Sequence, residues 1–346
     1  MSGKSNDSKL EVRAPRETVA LFGHDDAEAT LLAAYRSGRI PHAWLIGGAS
    51  GIGKATLAYR MARFVLANPD PSAPGVQRAD SLQVDASHPT ARQIAGGSHG
   101  GLLTLERTAN DRGVLRTVIT VDETRETIGF FGSTAAAEGW RVCIVDTVDE
   151  LNANASNALL KVLEEPPERS LFLLISHAPA RLLPTIQSRC RKLFLRPLGE
   201  DNVARAAVES AGLDIDDPSL REAAGASEGS VARALMLIGG DALGLHQRTA
   251  ALLATLPHVD PKALHALGDA LGSNDRTAIA AFVDTIDRWM SERLRVADAN
   301  ANLPRLARLA EVWEKINRAA RDTESYNLER KPLVFSVFGL LADATR

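Results

Sequence analysis

Residues 46–58, IGGASGIGKATLA, place a glycine-rich turn between two different segments. The apolar run HAWLIGG ends in this turn and is typical of a short buried strand, whereas ATLAYRMARFVLA carries apolar residues on one helical face. A turn between a strand and the start of a helix presents backbone N–H groups that bind phosphate. Gly48, Gly53 and Lys54 complete the pattern G-x-x-x-x-G-K, which is typical of nucleoside triphosphatases. The stretch therefore predicts a phosphate-binding loop in an α/β fold.

The same glycines also fit a second kind of phosphate loop. Gly47, Gly51 and Gly53 have the spacing G-x-x-x-G-x-G of the short-chain dehydrogenases. Those enzymes need a tyrosine followed four residues later by a lysine, because the ammonium group lowers the pKa of the phenol. Each of the three tyrosines has an arginine at that spacing instead, in the pairs Tyr35 and Arg39, Tyr59 and Arg63, and Tyr326 and Arg330. The absent pair argues against a dehydrogenase.

The triphosphatase interpretation makes a demand that the chain meets. It needs a buried strand that ends in an aspartate, because that carboxylate aligns magnesium beside the nucleotide. The run RVCIVD supplies such a strand and ends at Asp146. We therefore predict that the backbone of residues 48–54 surrounds phosphate and that Lys54 reaches its terminal groups.

Composition sets broad limits on the function. The chain has 346 residues, 45% of them hydrophobic, and a formal net charge of -3, so the molecule as a whole is not a basic nucleic-acid-binding protein. Its two cysteines, Cys143 and Cys190, cannot form a four-thiolate metal site and argue against a disulfide scaffold. The polar start and the lack of a long apolar run predict a cytoplasmic protein without membrane spans.

The pattern of the chain changes near residue 199, where strand signals end and helices follow one another. We predict a disordered lead at 1–16 and an α/β domain with a parallel sheet at 17–198. A Pro-rich, irregular insertion is predicted at about 67–92. A small helical domain is predicted at 199–243 and a second one at 244–346.

Four further segments are predicted to be extended. They cover residues 102–107, 116–121, 141–146 and 171–176. Asp122 is predicted to be the N-cap of the helix that follows the second of these segments, because aspartate side chains accept hydrogen bonds from the first turn of a helix.

Two further motifs give the chain a family resemblance. SNALLKVLEEPP at 156–167 and PTIQSRC at 184–190, in that order after the phosphate loop and the strand aspartate, resemble the clamp-loader branch of the AAA+ ATPases. The resemblance covers nearly the whole chain and is nearest to an alphaproteobacterial form. It implies a AAA+ phosphate-loop domain with a parallel sheet, followed by a helical lid and a C-terminal helical collar through which subunits assemble.

The resemblance also implies a place in a larger machine. Clamp loaders of this branch form a five-subunit ring that contains gamma/tau motor subunits and a delta subunit. The ring acts with the DNA polymerase III holoenzyme, a nucleotidyltransferase, and closes a sliding clamp on primed DNA. In such rings the arginine of the Ser-Arg-Cys motif projects into the ATP site of a neighbour, which here assigns an arginine finger acting in trans to Arg189. Without that motif, a surface salt bridge would be the simpler interpretation.

Three departures from the motor subunits predict a weak or inactive nucleotide site in this chain. Thr147 follows Asp146, where motor subunits carry a catalytic glutamate. Ala55 follows Lys54, where a hydroxyl normally binds Mg²⁺, and Thr56 is rotated about 100° from that position on a helix. Ala232 stands where the motors carry a lid arginine that senses the terminal phosphate.

The predicted nucleotide site therefore comprises Gly48, Gly53, Lys54, Thr56 and Asp146, in a degenerate form. ATP with magnesium is expected to bind weakly or not at all, and no zinc is expected. A subunit that lends an arginine without hydrolysing ATP is the main hypothesis. A self-sufficient AAA+ motor subunit of the same branch stays open as the alternative.

Overall fold

The computed structural model describes residues 10–109, 116–132, 139–239, 241–272, 276–296 and 303–345. The chain forms two compact units, Glu11–Ala232 and Arg233–Arg346. The division lies within a helix, Val231–Ile238. The predicted domain boundaries near residues 198 and 243 stay predictions.

Five parallel strands form the centre of the first unit, in the order β2-β3-β4-β1-β5. They are β1 Ala43–Gly47, β2 Leu102–Glu106, β3 Arg141–Asp146, β4 Ser170–Ser176 and β5 Arg191–Phe194. The register aligns Gly47 with Ser176 on one side and Phe194 on the other, and aligns Asp146 with Glu106. The carboxyl ends of the strands therefore meet at one edge of the sheet, where the phosphate loop begins.

Helices cover both faces of this sheet. They are α1 Asp25–Arg36, α2 Lys54–Ala67, α3 Pro74–Arg78, α4 Pro89–Ala95, α5 Val121–Gly132, α6 Ala153–Glu164 and α7 Pro184–Arg189. Alternate strand residues enter two different cores, because successive side chains of a strand point to opposite faces. Ile144 and Leu173 pack with α1 and α2, whereas Cys143 and Phe172 pack with α6 and α7.

A pair of helices, α8 Glu200–Ala211 and α9 Pro218–Ala226, follows the sheet. The two ends of this helical segment meet, because the Leu198 N–H donates to the Gly229 carbonyl at 3.2 Å. Gly229 has φ 82, and a Cβ there would lie 2.5 Å from the Leu198 nitrogen. Only glycine permits this close approach.

The second unit is made of helices in its described part. Helix α10, Val231–Ile238, leads into α11 Ala242–Ala254, α12 Pro261–Leu271, α13 Arg276–Val296, α14 Leu303–Ser325 and α15 Lys331–Thr345. Its core combines Phe282 and Met290 of α13, Ile316 of α14 and Phe338 of α15. Because it has a buried apolar core of its own, this part of the chain is a separate compact unit.

Two predictions about residues 116–122 are wrong. Among the described residues of this segment there is no strand, only a single bridge between Ile119 and Leu151. Asp122 is not the N-cap, because α5 already begins at Val121. Thr120 and Glu123 form a capping box instead: the Glu123 carboxylate accepts from the Thr120 N–H at 2.6 Å.

The predicted insertion is not irregular throughout: it contains the short helix α3 and the start of α4, and each of these helices begins with a proline. Proline is favoured at the first helical position because it has no N–H to leave unpaired. Of the predicted lead, residues 1–9 lie outside the described residues. Its described part contacts the body of the unit: the Arg13 N–H donates to the Ser210 carbonyl at 2.7 Å.

The fold class predicted from the sequence is confirmed. A parallel sheet carries the glycine-rich loop, and the other regular elements of the described chain are helices. None of the helices, as far as the structure describes them, combines the length and the apolar character that a membrane crossing requires.

Candidate functional site

The glycine-rich loop joins β1 to α2 as predicted. Gly48, Gly51 and Gly53 have φ values of 149, 75 and 98, which L side chains rarely adopt. Helix α2 begins at Lys54 without a side-chain cap and without an acidic residue in its first turn. Its first N–H groups are therefore left available for an anion.

Lys54 is buried and bonds to its own loop. Its ammonium group donates to the Gly48 carbonyl at 2.8 Å and to the Ala49 carbonyl at 2.5 Å. Burial lowers the pKa of Lys54 to about 8, because the charged form is poorly solvated, and the carboxylates of Asp146 and Asp149 partly oppose this shift. The cation of the loop thus already has two oxygen partners.

Asp146 lies at the end of β3, close enough to Lys54 for the two charges to interact. Burial raises the pKa of Asp146 to about 6, and the carboxylate of Glu106 on the neighbouring strand adds to the rise. Lys54 opposes the rise, whereas Glu150 supports it. The aspartate is thus held in surroundings that favour its neutral form.

None of the residues that follow Asp146 is placed to serve as a free base. Thr147 is buried, and its hydroxyl has no hydrogen-bond partner among the described residues. Asp149 accepts from the Ser176 hydroxyl at 2.8 Å and from the His177 N–H at 2.6 Å. Glu150 forms an ion pair with Arg107 at 2.9 Å. Both nearby carboxylates are therefore engaged elsewhere.

The segment after α9 lies directly on the phosphate loop. The Gly51 carbonyl accepts from the N–H of Val231 at 2.9 Å and from that of Ala232 at 3.4 Å. A Cβ at Gly51 would overlap the Ser230 hydroxyl and would lie 2.7 Å from the Ala232 methyl group. Ala232, which the resemblance predicts to stand at the position of a lid arginine, thus contacts the loop through its methyl group and its N–H.

Arg233, one residue later, has a different partner. Its guanidinium forms an ion pair with Asp284 of α13 at 2.8 Å, and its side chain is 4% exposed. A one-residue shift turns a helical side chain by about 100°, so Arg233 does not take the place of the arginine that the resemblance predicts at position 232.

His24 is a neighbour of the loop that the sequence did not reveal. It precedes α1, is buried, and its Nε2 donates to the Ile52 carbonyl at 2.6 Å. A carbonyl can only accept, so this nitrogen carries the proton. Burial lowers the pKa of His24 and keeps the ring neutral. A single histidine outside a motif carries no signal that sequence reasoning could have used.

Arg189 does not belong to this cluster. It is the last residue of α7, and its contacts are with α6 and α7. Its Nη2 donates to the Glu164 carboxylate at 2.7 Å, and its Nη1 donates to the Thr185 carbonyl at 2.9 Å. The side chain keeps 32% of its surface exposed. Cys190, next to it, is buried in the core beneath α7.

The predicted site residues thus divide into two places. Gly48, Gly53, Lys54 and Asp146 come together at the loop, whereas Arg189 lies apart from them at the end of α7. Thr56 lies two residues inside α2, past the start of the helix.

The donors at the loop fit a phosphate group better than they fit its metal. The α2 N–H groups and Lys54 suit an anion, but Ala55 offers no hydroxyl to Mg²⁺. Within the described ranges, no group of three or more histidine, cysteine, aspartate or glutamate side chains is placed to hold a metal ion.

Substitution of Gly51 tests the contact between the loop and residues 230–232. We expect Gly51→Ala to destabilise the first unit by about 2–4 kcal/mol, from the positive φ and the overlap with Ser230 and Ala232. Gly38→Ala is the matched control, because Gly38 has φ 66 with nothing within 4 Å of its Cβ position, and should cost only about 1 kcal/mol. Urea unfolding and hydrogen exchange of residues 199–232 measure both effects. Equal losses in the two variants would contradict the contact.

The raised pKa of Asp146 predicts how the stability of the fold depends on pH. A raised carboxyl pKa means that the folded state binds its proton more tightly, so stability falls as the pH rises from about 4 to about 6. We expect Asp146→Asn to be more stable than the parent by about 2–3 kcal/mol at pH 7.5, and by little at pH 4. Denaturant unfolding at both pH values checks this, with the exposed Glu165→Gln as the control for losing one carboxylate. A gain that is the same at both pH values would overturn the assignment.

Comparison with known proteins gives the family. The sequence pattern of the family described as "DNA polymerase III, delta subunit" matches residues 23–199, about half of the chain. The chain is 38% identical to the DNA polymerase III subunit delta' of Pseudomonas aeruginosa over 149 residues, which are 43% of this chain and 41% of that protein. It is 28% identical to the DNA polymerase III subunit gamma/tau of Mycobacterium bovis over 340 residues, 91% of this chain and 53% of that protein.

The chain thus spans about half the length of these curated relatives. A gamma subunit-related protein of Thermotoga maritima is similar in structure, with a TM-score of 0.43 and 15% identity, over 91% of this chain and 99% of that one. The matched residues include the phosphate loop, the strand that ends at Asp146 and the segment that carries Arg189. The chain belongs to the DNA polymerase III delta subunit family.

Proposed function

We propose that this chain is a clamp-loader subunit of the delta-prime kind. In this role it is a AAA+ stator that hydrolyses little or no ATP and supplies Arg189 in trans to the ATP site of a neighbouring motor subunit. One observation carries the proposal: the half-buried arginine of the Ser-Arg-Cys motif lies apart from the chain's own loop, and within the described ranges the lysine of that loop bonds to the Gly48 and Ala49 carbonyls. A guanidinium supplied across an interface stabilises the charge that develops on a transferring phosphoryl group.

The chain's own loop keeps what is needed to bind phosphate but not what is needed to hydrolyse it. The backbone of residues 48–54 and Lys54 would hold the phosphates of a nucleotide, and bound ATP would bring the transferable phosphoryl group. Lys54 would have to exchange the Gly48 and Ala49 carbonyls for phosphate oxygens. Thr147 cannot orient an attacking water as a carboxylate does, and Asp149 is bonded to Ser176 and His177.

The proposed partners follow from the family. They are gamma/tau motor subunits, a delta subunit, the sliding clamp and the DNA polymerase III holoenzyme, with primed DNA contacted through the complex. The helices of the second unit would form the collar that holds the subunits together. We place the chain in the cytoplasm, where these partners act.

A self-sufficient AAA+ motor is the second candidate. The similarity to a gamma/tau protein supports it, because that match spans 91% of the chain. Thr147, Ala55 and Ala232 argue against it, since together they remove the base, a metal ligand and the sensor of the terminal phosphate.

An ATPase assay on the isolated chain separates the two candidates. We expect turnover lower than that of a motor subunit by at least about 10²-fold, because loss of a catalytic base alone commonly has that effect. A purified motor subunit in the same assay is the positive control. Robust turnover of the isolated chain that Lys54→Ala abolishes would instead identify a motor.

Removal of the guanidinium tests the role in trans. We expect Arg189→Ala to leave assembly of the complex intact and to slow hydrolysis at the neighbouring site by about 10³-fold. Single-turnover ATP hydrolysis by the complex on primed DNA measures this, since the affected site appears as a separate slow phase. Arg191→Ala is the matched control, because Arg191 is an exposed arginine two residues further along the chain. Unchanged kinetics in an assembled Arg189→Ala complex would refute the role.

A further inference from the structure

We infer that Glu164 is a positioning residue for Arg189: it holds the guanidinium at the surface, ready to meet a phosphate of the neighbouring subunit. The inference rests on the proposed function and adds to it a second residue, from a different helix. It assigns a role to Glu164, the first glutamate of the sequence LEEPP at residues 163–167.

The helix ends that carry Glu164 and Arg189 are held by a shared apolar core. Glu164 is the last residue of α6 and Arg189 is the last residue of α7. The two helices share one apolar core, to which α6 contributes Leu163 and α7 contributes Ile186. Pro166 and Pro167 follow the end of α6 and prevent its continuation. Both side chains therefore start from helix ends that cannot move apart freely.

The contacts of Arg189 restrain its side chain but use only some of its N–H donors. A guanidinium has five N–H donors, and two of them are used, one toward Glu164 at 2.7 Å and one toward Thr185 at 2.9 Å. The other three have no partner within the part of the chain that the structure describes. Since the side chain is 32% exposed, an anion can approach these donors while the first two bonds persist.

The ion pair between Glu164 and Arg189 contributes little to the stability of the fold, so we look for its role in function. Glu164 keeps 50% of its side-chain surface exposed, and exposed ion pairs stabilise proteins only weakly. An arginine side chain, however, loses much rotamer freedom when it binds a ligand. The bonds to Glu164 and Thr185 restrict that freedom before the neighbour binds, and preorganised groups of this kind lower the barrier of the reaction they assist.

The neighbouring glutamate provides a matched comparison. Glu165 has the same charge, follows Glu164 directly and is exposed, but it has no ion pair with Arg189 in the described residues. A general effect of negative charge near the interface would come from both residues. A positioning effect would come from Glu164 alone.

The experiment uses the complete chain assembled with its motor subunits. Four variants are compared with the parent in single-turnover ATP hydrolysis on primed DNA: Glu164→Ala, Glu164→Asp, Glu165→Ala and Arg189→Ala. For Glu164→Ala we expect the rate constant of the Arg189-dependent phase to fall by about two- to fivefold. The KM for ATP and the assembly of the complex should not change. Glu164→Asp should recover part of the loss, and Glu165→Ala should match the parent.

Each outcome has a distinct meaning. If Arg189→Ala has no effect in an assembled complex, the proposed function itself fails. If Arg189→Ala slows hydrolysis but Glu164→Ala does not, Arg189 acts without Glu164 and the inference is overturned. A faster reaction in Glu164→Ala would also overturn it, because the carboxylate would then be restraining the guanidinium. Equal losses in Glu164→Ala and Glu165→Ala would indicate a general charge effect and would likewise reject positioning.

Discussion

The parallel register of β1, β3 and β4 is the constraint on which the rest of the first unit depends. Parallel strands end at one edge of the sheet, so Gly47, Asp146 and Ser176 lie near one another there. This placement follows from the strand register and does not depend on the conformation of the connecting loops. The edge collects opposite charges, because Lys54 starts the helix after β1 and Asp146 ends β3. Burial then works against both charges at once: it lowers the pKa of the lysine and raises that of the aspartate.

The loop has a second role in this chain, because it is also a structural joint. The carbonyl of Gly51 binds the backbone of Val231 and Ala232, and the absence of a side chain at Gly51 lets that segment approach. The ammonium of Lys54 binds two carbonyls of the same loop. The loop is thereby folded and occupied by its own groups. These contacts agree with the proposed role, in which this chain does not hydrolyse ATP.

Sequence reasoning found the features that depend on local pattern. The buried strands, the glycine loop and the strand aspartate follow from periodicity and from residue types that the geometry requires. It missed features that depend on pairing across the fold. The engagement of Asp149 by Ser176 and of Arg189 by Glu164 joins residues 25 or more positions apart. Thr120, and not Asp122, is the N-cap, because its hydroxyl accepts from the Glu123 N–H at 3.5 Å and the Glu123 carboxylate accepts from the Thr120 N–H at 2.6 Å.

The closed helical segment between Leu198 and Gly229 has a mechanical consequence. Its two ends are hydrogen-bonded to each other, and the residues that leave it rest on Gly51. The segment is also attached through α8, because the Arg13 N–H donates to the Ser210 carbonyl and the Arg205 guanidinium lies over the Phe22 ring. Because residues 229–232 are continuous, loss of the closure at Gly229 would displace the backbone that lies on Gly51.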